Sequence, residues 1–130
     1  MGTPMAGHSN ATSEILLVED EPLIAMYIED ALTRSGFTVS GPFDTVALGA
    51  AAARRFDGAA ALVDLRLDGD DATVVAEILA DRRIPFIVMT GLEEIAVAGA
   101  TATVPILRKP FLIADLLGAI QDICPSHQAV

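Results

Sequence analysis

Three carboxylates in a row follow an apolar run in the stretch ILLVEDEPLI, residues 15–24. Glu19, Asp20 and Glu21 stand where a buried strand is expected to end. Two carboxylates about 4 Å apart repel by about 4 kcal/mol at an effective dielectric of about 20, so a nearby cation is implied. The alternative for these three residues alone is an acidic helix N-terminus, with Pro22 at the first helical position.

Three further apolar runs also lead into reactive polar groups. Asp64 ends the run AAALVD, Thr90 follows PFIVM, and Lys109 closely follows TVPIL. In an open parallel α/β sheet, the carboxyl ends of the strands meet at one edge, and ligands bind there. Taken singly, Thr90 fits a capping box and Asp64 fits a turn. Four such coincidences at one edge favour a shared site.

The residue types at this edge indicate phosphoryl-transfer chemistry. Glu19 and Asp20 offer hard oxygen ligands, which suit Mg²⁺ completed by waters and a phosphate oxygen. Asp64, alone at its strand end, is the candidate nucleophile. Thr90 would donate its hydroxyl to a phosphoryl oxygen, and Lys109 would add a second positive charge, because the transition state spreads negative charge over these oxygens.

Apolar, partly β-branched runs alternate with stretches of helical spacing along the chain. The strand predictions cover residues 14–18, 37–41, 59–64, 85–89 and 103–107, and the helix predictions cover residues 22–35, 44–56, 71–81 and 112–123. A shortened fourth helix of about one or two turns is predicted between Gly91 and Gly99. This order predicts an α/β fold, a doubly wound parallel sheet of apolar strands with helices on both faces. On the first helix, some of Leu23, Met26 and Tyr27 should remain exposed.

The composition is that of one acidic domain. The 130 residues carry 8 basic and 18 acidic side chains, and the net charge of −10 disfavours nucleic acid and anionic membranes as partners. The paired Arg82 and Arg83 are expected at a solvated helix end. The chain has one cysteine and two histidines, and one histidine lies in each terminal stretch. This set does not provide the ligands of a structural zinc site, which is therefore excluded.

The ends of the chain carry no recognisable targeting signal. MGTPMAGHSNATS lacks the basic start and apolar core of a signal peptide, and no apolar run is long enough to span a bilayer. We therefore expect a cytoplasmic protein. We predict a disordered tail over residues 1–13, one domain over residues 14–124 and a C-terminal tail over residues 125–130.

Four motifs give the chain a family resemblance that runs from Glu14 to about Ile123. VED, ALVDLRL, MTG and LRKPF together resemble the receiver domain of bacterial two-component response regulators. The resemblance implies a flavodoxin-like (βα)5 fold with strand order 2-1-3-4-5. It also implies a cis peptide bond between Lys109 and Pro110.

The resemblance further implies a mechanism. Asp64 would be phosphorylated by a sensor histidine kinase or a histidine phosphotransferase, and it would lose the phosphoryl group slowly by its own activity. Mg²⁺ would be bound by Glu19, Asp20, Asp64 and the main-chain carbonyl of Arg66. The protein would thus be a signalling receiver that takes phosphate, not an enzyme that turns over other substrates.

A subgroup of this family is similar in its fourth strand. PFIVMTG and the short fourth helix resemble single-domain receivers with a Phe-Ala-Thr-Gly-Tyr motif, from which Val88, Met89 and Leu92 depart. Ile106 takes the usual aromatic switch position, so any switching is expected to use another packing change. Only seven residues follow Ile123, so no output domain is expected. Such a receiver would act through protein contacts, or as a phosphate sink or shuttle, as a monomer or weak dimer.

Two other functions stay open at this level. A Mg²⁺-dependent phosphohydrolase of the haloacid-dehalogenase type also uses a strand-end aspartate. It needs a second aspartate two residues further on as general acid, where this chain has Arg66. A module that binds partners and never takes phosphate would need Asp64 to be inert.

Overall fold

The computed structural model describes residues 13–91 and 104–124. The predicted terminal tails, except for residue 13, lie outside these residues. The predicted fourth helix also lies outside them, except for Gly91.

The described residues form strands and helices in the predicted alternating order. The strands are β1 (Glu14–Val18), β2 (Thr38–Phe43), β3 (Ala60–Asp64), β4 (Arg66–Leu67), β5 (Asp70–Asp71), β6 (Phe86–Thr90) and β7 (Ile106–Arg108). The helices are α1 (Pro22–Arg34), α2 (Val46–Arg55), α3 (Thr73–Asp81) and α4 (Ile113–Ile123). None of these helices is both long enough and apolar enough to cross a membrane.

Five of the strands form one parallel sheet in the order β2-β1-β3-β6-β7. The first strand therefore lies between the second and third, and the winding direction reverses at β1 and β3. This confirms the predicted flavodoxin-like order, 2-1-3-4-5. The two-residue strands β4 and β5 form a separate antiparallel hairpin after β3, which the sequence analysis did not predict.

Alternating residues of the central strands feed two hydrophobic cores on opposite faces of the sheet. Leu16 and Val18 pack with residues of α2 and α3, whereas Ile15 and Leu17 pack with residues of α1 and α4. The strands β1, β3 and β6 are buried along their apolar length, as predicted. The edge strands β2 and β7 are partly exposed.

The edge strand β2 bends where it passes the end of β1. Gly41 has a φ of 118° and precedes Pro42 through a cis peptide bond, and a Cβ at Gly41 would lie 2.5 Å from Leu17 O. The register with β1 shifts at this point. Phe43 O then accepts a hydrogen bond from Glu19 N at 3.0 Å. The bend thus anchors the backbone at the first residue of the acidic triplet.

Arg82 joins the ends of two helices, and it is solvated only in part. Its Nη1 donates to Ala53 O and to Phe56 O, each at 2.7 Å, and its Nη2 lies 3.1 Å from Asp57 Oδ1. The last carbonyls of a helix have no donor within the helix, so the guanidinium supplies one at the end of α2. Arg82 thus lies at an exposed helix end, as expected, and in addition bonds to the end of the neighbouring helix α2.

Replacing Arg82 with alanine is expected to lower the free energy of unfolding by about 1–2 kcal/mol, because the carbonyls at the end of α2 lose a charged donor. The side chain is 31% exposed, so water replaces part of the lost interaction. Urea unfolding followed by circular dichroism measures the change. Arg83→Ala is the matched control and should stay within about 0.5 kcal/mol of wild type. An equal loss of unfolding free energy in Arg82→Ala and Arg83→Ala would contradict the stabilising role given to Arg82.

Candidate functional site

The strand order brings four of the predicted residues to one point at the carboxyl edge of the sheet. Val18 pairs with Val63 in register, so the residues that follow β1 lie beside Asp64. Lys109 approaches from the other side, and its amide donates to Thr90 O at 2.9 Å. Because strand pairing fixes these backbones, the charged side chains meet without a long flexible loop.

Lys109 bridges two buried carboxylates. Its Nζ lies 2.6 Å from Asp64 Oδ2 and 3.0 Å from Glu19 Oε1, and it donates to Glu19 Oε2 at 3.2 Å. The side chains of Glu19 and Asp64 are 0% and 7% exposed, and that of Lys109 is 20% exposed. Water screens such an ion pair weakly. The bridge is therefore a fixed part of the site and not a surface contact.

Each of the three carboxylates also accepts a hydrogen bond from a main-chain amide. Glu21 N donates to Glu19 Oε2 at 3.1 Å, and Arg66 N donates to Asp64 Oδ1 at 2.9 Å. Asp68 N donates to Asp20 Oδ2 at 2.7 Å. Amide donors favour the ionised carboxylate and fix its orientation. The carboxylates are thus held in place by the segment that follows β1 and by two amides of the β4–β5 hairpin.

Burial opposes the ionisation of these groups. Burial raises the pKa of Glu19 and the pKa of Asp64, although Lys109 and the amides of Glu21 and Arg66 act to lower them. Burial would also lower the pKa of the Lys109 ammonium, but its hydrogen bonds and charge interactions with Asp64 and Glu19 outweigh burial and raise that pKa. One ammonium therefore compensates the carboxylates only incompletely, and the site favours further positive charge.

The arrangement fits a hard metal ion. One oxygen from each of Glu19, Asp20 and Asp64 lies within 4.8 Å of the others. Glu19 Oε1 is buried and has no hydrogen-bond partner among the described residues, despite its closeness to the ammonium of Lys109. The cluster borders an open cleft of about 240 Å³, lined by Asp20, Glu21, Asp64, Arg66, Gly69, Gly91 and Lys109. A buried carboxylate oxygen that accepts no hydrogen bond, beside two further carboxylates, belongs to the kind of donor set that oxygen-seeking cations use.

The comparisons with known proteins agree with this geometry. No protein-family model and no curated protein matches the sequence. Among solved structures, the chain is similar to SdrG from Sphingomonas melonis Fr1, with 42% identity, a TM-score of 0.72 and coverage of 85% of this chain and 97% of SdrG.

Two further solved structures are receiver domains by description. The receiver domain of the sensor histidine kinase PA1611 from Pseudomonas aeruginosa PAO1 is 28% identical, with a TM-score of 0.75 over 88% of this chain and 99% of that one. A magnesium ion is coordinated in the active site cleft of that protein. The receiver domain of the response regulator PhyR from Erythrobacter litoralis is 27% identical, with a TM-score of 0.74 over 87% and 90% of the two chains. This chain belongs to the response regulator receiver domains.

The other predicted residues of the receiver domain lie around the same edge. Thr90 is buried at the end of β6, and its hydroxyl donates to Gly91 O at 3.0 Å. Arg66 lines the cleft, and the peptide bond between Lys109 and Pro110 is cis, as the resemblance implied. Ile106 is 43% exposed on the edge strand β7.

The three residues of the acidic triplet lie in two different places: Glu21 stands at the start of α1, and Glu19 and Asp20 belong to the carboxylate cluster. Pro22 opens α1 at the predicted position, but the side chain of Glu21 makes no capping hydrogen bond to this helix. Glu19 is 1% exposed and Asp20 is partly exposed, and both face the cluster. The alternative of a simple acidic helix cap therefore does not describe Glu19 and Asp20.

The contact between the Asp68 amide and Asp20 is a feature of the cluster that the sequence analysis missed. A signal was present, because Asp68-Gly69 is a dipeptide typical of two-residue hairpin turns. The two residues that follow the turn, Asp70 and Asp71, are acidic and not alternately apolar, so the hairpin pattern is present only on the side before the turn. A main-chain donor also leaves no trace in residue type, and its direction depends on the folded turn.

Proposed function

We propose that this receiver domain accepts a phosphoryl group on Asp64 from the phosphohistidine of a sensor histidine kinase or a histidine phosphotransferase. A carboxylate oxygen of Asp64 attacks phosphorus, the P–N bond of the donor breaks, and its electron pair returns to the imidazole. The product is an acyl phosphate on Asp64, which water later hydrolyses to inorganic phosphate. The observation that carries this proposal is the contact of 2.6 Å between Lys109 Nζ and Asp64 Oδ2 within the carboxylate cluster.

The protein's own groups would stabilise the charge that develops during transfer. Lys109 stands beside Asp64 and presents an ammonium to the oxygens of the incoming group. Arg66 N keeps the Asp64 carboxylate in one orientation through Oδ1. The Thr90 hydroxyl lies at the end of the adjacent strand β6 and would donate to a phosphoryl oxygen after leaving Gly91 O.

The carboxylate cluster would hold Mg²⁺ through Glu19, Asp20, Asp64 and the main-chain carbonyl of Arg66. Bound there, the ion would neutralise the cluster and the phosphoryl oxygens together. The fit rests on the three convergent carboxylates and on the buried Glu19 Oε1, which accepts no hydrogen bond and has only the charge of Lys109 beside it. Without the ion, a phosphate dianion would meet three carboxylates and one ammonium.

Helix α1 offers a surface for the phosphoryl donor beside the cleft. Leu23, Met26 and Tyr27 are 79%, 62% and 42% exposed, as the helical spacing predicted. Tyr27 also contacts Phe111, next to the cis peptide at Lys109. We propose that the kinase or phosphotransferase docks on this apolar face in the cytoplasm, and that output proceeds through protein contacts or phosphate relay.

Intact-mass spectrometry after incubation with acetyl phosphate tests the proposal. In the presence of Mg²⁺, we expect a gain of one phosphoryl group, because the cluster then binds the anionic donor. With EDTA in place of Mg²⁺, we expect no gain. Phosphorylated histidine phosphotransferase is the second donor, since it supplies the proposed P–N bond.

The alternatives give different outcomes in the same assay. A phosphohydrolase would release phosphate continuously from phosphate esters, which Arg66 does not support as general acid. A module that never takes phosphate would show no mass gain from either donor. Failure with both donors in Mg²⁺ would therefore overturn the proposal.

A further inference from the structure

The β4–β5 hairpin touches the carboxylate cluster at one point. Asp68 N, in the turn of the hairpin, donates to Asp20 Oδ2 at 2.7 Å across 48 positions of sequence. We propose that this hairpin positions Asp20 for the cation, with the main-chain amide of Asp68 as the positioning group. The inference rests on the proposed function, because it takes Asp20 as a metal ligand.

The turn geometry directs this amide away from the hairpin's own ladder. Arg66 pairs with Asp71 and Leu67 with Asp70, so Asp68 and Gly69 are the two central residues of the turn. Their φ values are 52° and 84°, and positive φ at both central positions is the mark of a type I′ turn. Asp68 tolerates this conformation better than a branched residue would. Its amide is therefore available to a group outside the hairpin.

The base of the hairpin is fixed in the core on both sides. Leu67 is 0% exposed and packs in the same cluster as Val18, the last residue of β1, and Val63, which precedes the last residue of β3. Ala72 N donates to Leu65 O at 2.8 Å, closing the loop where it enters α3. A turn held in this way presents its amide at a constant position relative to the strand ends.

Asp20 needs a support of this kind more than the other two carboxylates do. Glu19 and Asp64 are buried and bonded to Lys109, whereas Asp20 is partly exposed and its charge acts on Asp64 unfavourably. Repulsion favours rotation of the Asp20 carboxylate toward solvent. A hydrogen bond from a fixed amide to Oδ2 opposes that rotation and leaves Oδ1 for the cation.

Mg²⁺ titration of matched variants tests the inference. Asp68→Pro removes the amide and also excludes the φ of 52°, because proline holds φ at about −65°, and it is expected to weaken Mg²⁺ affinity about tenfold or more. Asp68→Gly keeps the amide and tolerates the positive φ, and should change the affinity less than about twofold. Gly69→Val disfavours positive φ without touching a ligand, and should weaken affinity as well. In an Asp20→Ala background, Asp68→Pro should add no further weakening, because the group that it positions is gone.

Amide hydrogen exchange of the metal-free protein gives a second readout. We expect Asp20→Ala to speed exchange at the Asp68 amide, while exchange in the core strands stays as in wild type.

Two results of the Mg²⁺ titration would overturn the inference. One is equal weakening of Mg²⁺ affinity by Asp68→Pro in both backgrounds, and the other is weakening by Asp68→Gly as large as by Asp68→Pro. If Asp20→Ala weakens Mg²⁺ binding but Asp68→Pro does not, the inference fails and the metal site stands. If Asp20→Ala leaves Mg²⁺ affinity unchanged, the proposed metal site itself fails.

Discussion

Asp64→Asn is expected to abolish phosphoryl uptake while leaving the fold intact. An amide oxygen is a far weaker nucleophile than a carboxylate oxygen, so no acyl phosphate can form at this position. The substitution retains an acceptor for Arg66 N, and Lys109 keeps its contacts with Glu19. Intact-mass spectrometry with acetyl phosphate and Mg²⁺ measures uptake, and circular dichroism checks folding.

A neighbouring aspartate supplies the control for this loss. Asp70 is exposed in strand β5 of the hairpin, outside the three-carboxylate cluster, and Asp70→Asn removes the same charge from the same region. It should take up phosphate as wild type does. If Asp64→Asn takes up phosphate at the wild-type level, the acceptor is another residue. If Asp70→Asn also loses uptake, the loss in Asp64→Asn reflects the change in net charge and not the loss of the acceptor.

Lys109→Met is expected to destabilise the metal-free protein by about 3 kcal/mol, because Glu19 and Asp64 lose the cation that compensates them. The raised pKa of each carboxyl group already indicates that burial is costly for the ionised forms. Methionine retains most of the length of the side chain, so the change isolates the charge. Thermal unfolding with and without Mg²⁺ measures the effect.

Mg²⁺ should recover more stability in Lys109→Met than in wild type, because the ion then supplies the only added positive charge at the described cluster. We further expect the variant to bind Mg²⁺ and yet to lose the conformational response to phosphorylation. Arg108→Met, at the neighbouring exposed cation of β7, is the control and should behave as wild type. Identical Mg²⁺ stabilisation of the two variants would contradict the role given to Lys109.

The meeting of the strand-end residues could be predicted from the sequence because the carboxyl ends of parallel strands share one edge of the sheet. Four residues, Glu19, Asp20, Asp64 and Lys109, were assigned to one edge from apolar runs and the rule for parallel sheets. In the structure Lys109 contacts Glu19 and Asp64, and an oxygen of Asp20 lies within 4.8 Å of an oxygen of each of these two carboxylates. Their roles as metal ligands, acceptor and counter-charge stay predictions until phosphorylation is measured. The strand order followed from the family resemblance and is confirmed.

Element boundaries were harder to predict, for local reasons. Helix α3 begins at Thr73 and not at residue 71, because Asp71 belongs to β5 and its carboxylate accepts from Thr73 N at 2.8 Å. Strand β7 begins at Ile106, after Pro105, which has no amide for the ladder. In the first place a short-range hydrogen bond, and in the second a missing amide, moves the boundary from where the periodic pattern puts it.

Contacts that join distant turns could not be predicted from the sequence. Arg82 finds the carbonyls at the end of α2 only because α2 and α3 pack side by side, and nothing in its neighbours signals this. The Asp68 amide reaches Asp20 only after a type I′ turn forms. Such contacts depend on three-dimensional placement of the backbone and not on residue type.

The position of the phosphoryl group tests the central claim most directly. Borohydride reduces an aspartyl phosphate to homoserine, so treatment after phosphorylation with Mg²⁺ and peptide mapping by tandem mass spectrometry would locate the acceptor. We predict homoserine at position 64 alone, and none when EDTA replaces Mg²⁺. Homoserine at position 20, or an acid-stable phosphate on a hydroxyl such as that of Thr90, would contradict the assignment of Asp64 as the acceptor.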